Sequence, residues 1–188
     1  MLFLTDFADQ AVVLPLIAAV AAVLALLGWR RGAAAWLLAV GVCFLTVLAL
    51  KLAFIACGPA LGTQALRSPS GHTAAAAIIA GGIAAALGWR RGRVLAAASL
   101  AAAVIGLTRL ALGLHSPPEV LVGGAMGVGG ALGFTWLAGA PPPLRLRWLF
   151  AAILAVALLL HGQHLNAEPR IRALAFDLPF CPGGQLRP

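Results

Sequence analysis

Charge is scarce in this chain. Charged residues make up only 10% of its 188 residues and hydrophobic residues 62%, whereas soluble domains carry about 25% charged residues. That excludes an ordinary water-soluble domain. The apolar residues recur in long runs, so the chain reads as an all-α integral membrane protein. Lysine is nearly absent: Lys51 is the only one. The net charge is +8, but the arginines fall in short clusters between apolar runs. That is the pattern of membrane topology, so no nucleic-acid partner is expected. Cysteine is sparse as well. Cys43, Cys57 and Cys181 show no metal-ligand spacing, and no metal site is read from them. Cys43 reads as lipid-embedded filler. Cys57 and Cys181 can lie on the same side of the membrane, which leaves a disulfide between them open, with free thiols the preferred reading. The first ten residues hold Asp6 and Asp9 but no basic residue, so they do not form the positive start of a secretory signal.

About six apolar passes follow, at roughly residues 11–28, 33–57, 71–89, 94–114, 118–138 and 148–160. Arg30 and Arg31, then Arg90, Arg91 and Arg93, then Arg145 and Arg147 occupy alternate connections. The positive-inside rule makes that side cytoplasmic and turns the other connections and both termini outward. Arg170, Arg172 and Arg187 in the tail run against this assignment. They are partly offset by Glu168 and Asp177 and outvoted by the three internal clusters. The expected organisation is one transmembrane domain over residues 1–188, with a motif-bearing core at about 33–138. An extracytoplasmic tail, 161–188, follows, and its Ala173–Phe180 stretch reads as a membrane-surface segment. Gly81-Gly82, Gly123 with Gly127, and Gly129 with Gly133 are small-residue contacts that let helices approach closely. They predict a compact core formed by helices 2–5.

The polar residues left over are few and placed together. Lys51 and Arg109 lie inside apolar passes, where a charge costs about 2.5–3.5 kcal/mol at the bilayer centre. Each alone would be read as snorkelling to headgroups. Two cations at similar depth beside His72 and His115 favour an anion site instead. Ser70 is placed to cap the third helix, and Gly71 lets backbone N–H groups approach a ligand. Ser116-Pro117-Pro118-Glu119 fits a capping box with proline at the first helical position. That gives Glu119 a plain structural role but leaves His115 and Arg109 unexplained. His161 and His164 read as interfacial histidines. Two imidazoles, two cations and two helix starts on one side point to phosphoryl transfer. One imidazole attacks phosphorus, the other protonates the leaving oxygen, and a carboxylate orients the nucleophile. Of the five acidic residues only Glu119 is expected near the site, so the chemistry is expected to need no metal and no cofactor.

These residues resemble the type 2 phosphatidic acid phosphatase superfamily, the membrane lipid phosphatases related to vanadium haloperoxidases. Pro69-Ser70-Gly71-His72 matches its Pro-Ser-Gly-His motif unchanged. Thr108-Arg109-x5-His115-x3-Glu119 matches Ser-Arg-x5-His-x3-Asp in spacing, and Lys51-x6-Gly58-Pro59 matches Lys-x6-Arg-Pro without the arginine. The resemblance implies His115 as the nucleophile that forms a phosphohistidine, His72 as the acid and Glu119 as the orienter. It implies Lys51, Ser70, Gly71 and Arg109 as phosphate ligands. Arg67 is the candidate to replace the missing arginine.

The expectation is a bacterial inner-membrane phosphatase acting on a lipid phosphate or diphosphate at the outer, periplasmic leaflet. Undecaprenyl diphosphate ranks first in the family's range, which also includes phosphatidate and phosphatidylglycerol phosphate. The alternatives are a lipid phosphotransferase using the same site, and a catalytically silent protein that binds lipid phosphate or scaffolds a partner. A channel or transporter would need polar residues at mid-depth along the spans, and the core spans show almost none.

Overall fold

The computed structural model describes residues 3, 6–57, 66–165 and 167–177, the side chains of 176 and 177 excepted. Among them are seven helices: α1 (Gln10–Leu26), α2 (Arg30–Cys57), α3 (Gly71–Ala86), α4 (Arg91–Ala111), α5 (Pro117–Ala138), α6 (Leu146–Leu160) and α7 (Ala167–Asp177). Gly58 and Cys181 lie outside the described residues.

Local chemistry sets the helix ends. Asp9 opens α1 by accepting from Ala11 N at 2.8 Å, and Ser70 opens α3 by accepting from Thr73 N at 3.4 Å. Ser116 and Glu119 form the expected capping box at the start of α5, with proline at its head. The hexapeptide Leu27-Gly28-Trp29-Arg30-Arg31-Gly32 recurs as Leu87-Gly88-Trp89-Arg90-Arg91-Gly92, and both copies make the same turn. Gly28 and Gly88 adopt positive φ. Trp29 N bonds Leu24 O, and Trp89 N bonds Ala84 O, which is the helix-ending Schellman pattern that glycine permits. Each copy then launches the next helix on its arginines.

α2, α4 and α5 are long and apolar enough to cross a membrane, and α1, α3 and α6 are shorter apolar helices. This marks the chain as a membrane protein. α3 sits between α4 and α5, and α2 packs on α5. Small residues allow the approach. A Cβ added at Gly123 would meet the Ser70 carbonyl, one at Gly127 the Ala74 carbonyl, and one at Gly82 the Trp36 ring. Trp36 is buried, donates from Nε1 to Ile17 O at 3.0 Å, and meets Phe134 edge-on. α1 leans on α2 and α6, and α7 on α2.

Several expectations are corrected. Gly129 and Gly133 face open space rather than a helix. Cys43 is buried within the protein, not in lipid, with Sγ 3.5 Å from Met126 O. Cys57 is disulfide-bonded rather than a free thiol. The tail forms a helix from Ala167 that packs on α2. The ends of α1, α3 and α5 and the starts of α2 and α4 gather the arginines at one end of the bundle, around Trp29, Arg90, Arg91 and Gly139. The polar islands meet at the other end.

Candidate active site

Glu119 ties that end together. Its Oε1 accepts from the backbone N–H groups of Arg67 (2.9 Å) and Ser68 (2.7 Å). Its Oε2 accepts from Ser116 N at 2.9 Å and lies 3.0 Å from His115 Nδ1. Its own carbonyl accepts from Ser70 N at 2.9 Å. One residue therefore caps α5, fixes the loop that enters α3, and holds the His115 ring. The carboxylate that caps α5 is thus the same one that faces the His115 ring. A carboxylate facing Nδ1 selects the tautomer with the proton on Nδ1, which leaves Nε2 with its lone pair.

A cavity of about 580 Å³ opens beside this ring. Lys51, Arg67, Arg109, Gly71, His72 and His115 all line it, as does Glu119. Lys51 is 5% exposed, so it does not snorkel to a headgroup. Its ammonium donates to Ser68 Oγ at 2.7 Å and to Glu168 Oε2 at 2.6 Å. His72 stands in the first turn of α3, with Nε2 3.9 Å from Asp9 Oδ2. Gly71 faces the cavity, where a Cβ would approach the Lys51 side chain.

Ser70 is placed differently from the other motif residues. It is fully buried, and its hydroxyl accepts from Thr73 N and from Thr73 Oγ1, at 2.9 Å for the latter. It underpins the α3 start, and of the two serines of this polar island it is Ser68 that lines the cavity. Ser68 could have been noticed in the sequence as the second hydroxyl of the same polar island.

The expectation that Glu119 alone among the acidic residues approaches the site is overturned. Asp9 and Glu168 also line the cavity, and so does His164, read from sequence as an interfacial histidine. Asp9 Oδ1 accepts from Leu165 N at 2.9 Å, and Oδ2 lies 3.7 Å from His164 Nδ1. These groups come from the chain's two ends and carry no motif. The inference of metal independence from a lone carboxylate thereby loses its premise.

Charge and burial tune two groups outside the helices of the bundle. Burial pushes the His115 imidazole below its ordinary pKa. The Glu119 hydrogen bond opposes this, and the charges of Lys51 and Arg109 reinforce it. For Glu168, burial acts to raise the carboxyl. The hydrogen bond and charge of Lys51, together with Ser68 and Arg172, outweigh it and hold the group below the usual carboxylate range.

The arrangement sets an imidazole with a free Nε2, a second imidazole, and a group of cations around one cavity. It can hold an oxyanion and offer it a nucleophile. No curated protein and no solved structure matches the chain significantly. The family model that does match, PAP2 superfamily, covers residues 51–142, from Lys51 through both histidines and Glu119 to the end of the helical core, and it is the superfamily that the motifs of the chain resemble.

Proposed function

We propose that this protein is a membrane lipid phosphatase that works through a phosphohistidine. PAP2 superfamily members are phosphatases, which supports phosphoester hydrolysis as the reaction class. The observation that carries the finer reading is the His115–Glu119 pair, 3.0 Å apart, at the wall of a cation-lined cavity.

In this reading His115 Nε2 attacks phosphorus, and the bond to the leaving oxygen breaks as His72 gives that oxygen a proton. Glu119 stabilises the imidazolium that forms. Water then attacks the phosphohistidine, His72 takes the water's proton, and His115 leaves as the neutral ring. Lys51, Arg109, Arg67 and the N–H groups around Gly71 would neutralise the equatorial oxygens, with Ser70 holding that helix start in place. Among the described residues no group of three His, Cys, Asp or Glu side chains converges as metal ligands would, and the proposed chemistry uses no metal.

The six apolar helices are read as six spans. The arginine clusters face the cytoplasm, so the cavity opens toward the outer leaflet of a bacterial inner membrane. A lipid diphosphate such as undecaprenyl diphosphate, or a monoester such as phosphatidate, would enter from the bilayer with its phosphate in the cavity.

The deciding assay is phosphate release by the purified protein in detergent, with EDTA present, from a panel of lipid phosphates and diphosphates. A His115→Ala protein is the control. Release that survives EDTA and vanishes in the variant is expected. Release that persists in His115→Ala would sink the phosphohistidine route. No release from any lipid would turn the reading toward acceptor-dependent phosphate transfer.

A further inference from the structure

Glu168 reaches the phosphate cavity from outside the family core. It sits in the first turn of α7. There an acid gains from the helix dipole, but that does not require it to turn toward α2. It does turn: Oε2 lies 2.6 Å from Lys51 Nζ, and Oε1 accepts from Ser68 Oγ at 3.0 Å. Arg172, one turn along α7, stands 3.6 Å from Oε1. The Lys51 side chain is 7% exposed and the Glu168 side chain 38%, so the carboxylate enters from the open side and covers a buried cation.

A carboxylate oxygen and a phosphate oxygen want the same donors in the same geometry. A phosphate bound to Lys51 would set its oxygens where Glu168 Oε2 now lies. Two anionic oxygens at that spot repel each other, so the carboxylate and the phosphate exclude one another there. We infer that Glu168 is an intramolecular occupant of the phosphate cradle, a carboxylate that any substrate must displace from Lys51 and Ser68, and that it selects for strongly charged ligands. A phosphate monoester or a diphosphate, with two or more negative charges, outcompetes a single carboxylate. A phosphodiester, with one, does not. Displacement also frees Arg172 to face the incoming anion. The inference rests on the cavity's being the phosphate site, but its test needs no turnover.

The test is the affinity of the full-length protein in detergent for inorganic phosphate and for dimethyl phosphate, by titration calorimetry. Wild type, Glu168→Gln and Glu168→Asp are compared, with melting curves for each. If the cradle is occupied about nine-tenths of the time, releasing it tightens apparent binding about tenfold. Glu168→Gln should therefore bind inorganic phosphate about tenfold more tightly, and should bind dimethyl phosphate where wild type does not. Glu168→Asp should stay near wild type. A Glu168→Gln protein that melts like wild type and binds phosphate no more tightly would overturn the inference, since Glu168 would then be supporting Lys51. Absence of phosphate binding to all three proteins would overturn it too.

A second measurement needs no variant. Phosphate should raise amide exchange across α7 in the wild-type protein, and unchanged exchange at saturating phosphate counts against displacement. The two proposals can fail separately. Tighter phosphate binding without lipid phosphate release would sink the enzyme reading alone. Normal release with unchanged phosphate affinity would sink this one alone.

Discussion

The Glu119 carboxylate faces His115 Nδ1 at 3.0 Å, while three backbone N–H groups from two separate loops hold its oxygens still. The ring is thus oriented by a group that cannot itself rotate. The loops that fix it are the ones that carry the rest of the site: Arg67 and Ser68 lead into the α3 start, and Ser116 follows His115. Loss of the Glu119 charge should therefore be felt both in chemistry and in folding.

Glu119→Gln keeps the size of the side chain but puts an NH2 where an acceptor is needed. Either the Arg67 and Ser68 N–H pair or the Ser116 and His115 pair then faces a donor. The expected outcome is a fall in phosphate-release kcat of about a hundredfold or more, since a misoriented histidine is the penalty seen when triad carboxylates become amides. Stability should drop by about 1–3 kcal/mol for a buried group left unsatisfied. Thermal melting and kcat on the same preparation check both. A variant with wild-type kcat would remove Glu119 from the catalytic apparatus.

The His115 imidazole is held below its ordinary pKa chiefly by burial. A histidine with a lowered pKa stays neutral, and so nucleophilic, to more acidic pH, and loses that form only as pH falls through the lowered value. The acid limb of kcat/KM assigned to His115 should then lie below pH ~6.5, the ordinary value for the side chain. Glu119 works against the lowering, so Glu119→Gln should move the limb still further toward acid while lowering the rate. Profiles of both proteins on one substrate cancel the substrate's own titration. A limb that moves toward alkaline pH in the variant contradicts this account.

The parts of the site that could be read in advance were those whose local chemistry is self-contained. Ser70 before Gly71, and Ser116-Pro117-Pro118-Glu119, announce helix starts without any knowledge of packing. The arginine-bearing turns after Gly28 and Gly88 likewise define the ends of passes. Asp9, His164 and Glu168 could not be read, because nothing local distinguishes them from ordinary terminal polar residues. They reach the cavity only through the docking of α1 and α7 on the bundle. The disulfide at Cys57 could be read only as the alternative to free thiols, since cysteine pairing is a matter of tertiary distance. Gly129 and Gly133 misled for a geometric reason. They share the four-residue spacing of Gly123 and Gly127, but six residues along a helix turn the stripe by about 120°, away from α3.

Asp9 is the carboxylate nearest His72, at 3.9 Å, and it also caps α1 and receives Leu165 N. Asn serves as a helix cap about as well as Asp, so Asp9→Asn should melt close to wild type. What it removes is the negative charge beside His72, the residue proposed to protonate the leaving oxygen. The rate should drop about tenfold on substrates with alkyl leaving groups and change little on aryl phosphates, whose leaving oxygen needs no proton; the whole of general acid catalysis is worth about 10²–10⁴. An equal loss on both substrate types would assign Asp9 a purely structural role.

Gly123 and Gly129 lie on the same helix, and substitutions at the two should have opposite consequences. At Gly123 the first atom of any side chain meets the Ser70 carbonyl, on the residue whose N–H is bonded to the Glu119 carbonyl. Backbone cannot step aside as a flexible side chain can, so Gly123→Ala must push α5 away from α3. That strains the bonds from Glu119 to Arg67 and Ser68, and overpacking of this kind costs about 1–3 kcal/mol. At Gly129 an added Cβ meets nothing within 4 Å, and alanine in a helix is favoured over glycine by about 1 kcal/mol. Gly129→Ala should hold or raise the melting temperature and leave phosphate release unchanged, whereas Gly123→Ala should lower both. The activity loss in Gly123→Ala should persist at temperatures where the protein is still fully folded, because the displaced groups orient His115. If activity returned to normal below the melting transition, the close approach of α3 and α5 would matter for stability alone, and the link from Gly123 through Ser70 and Glu119 to the nucleophile would be broken.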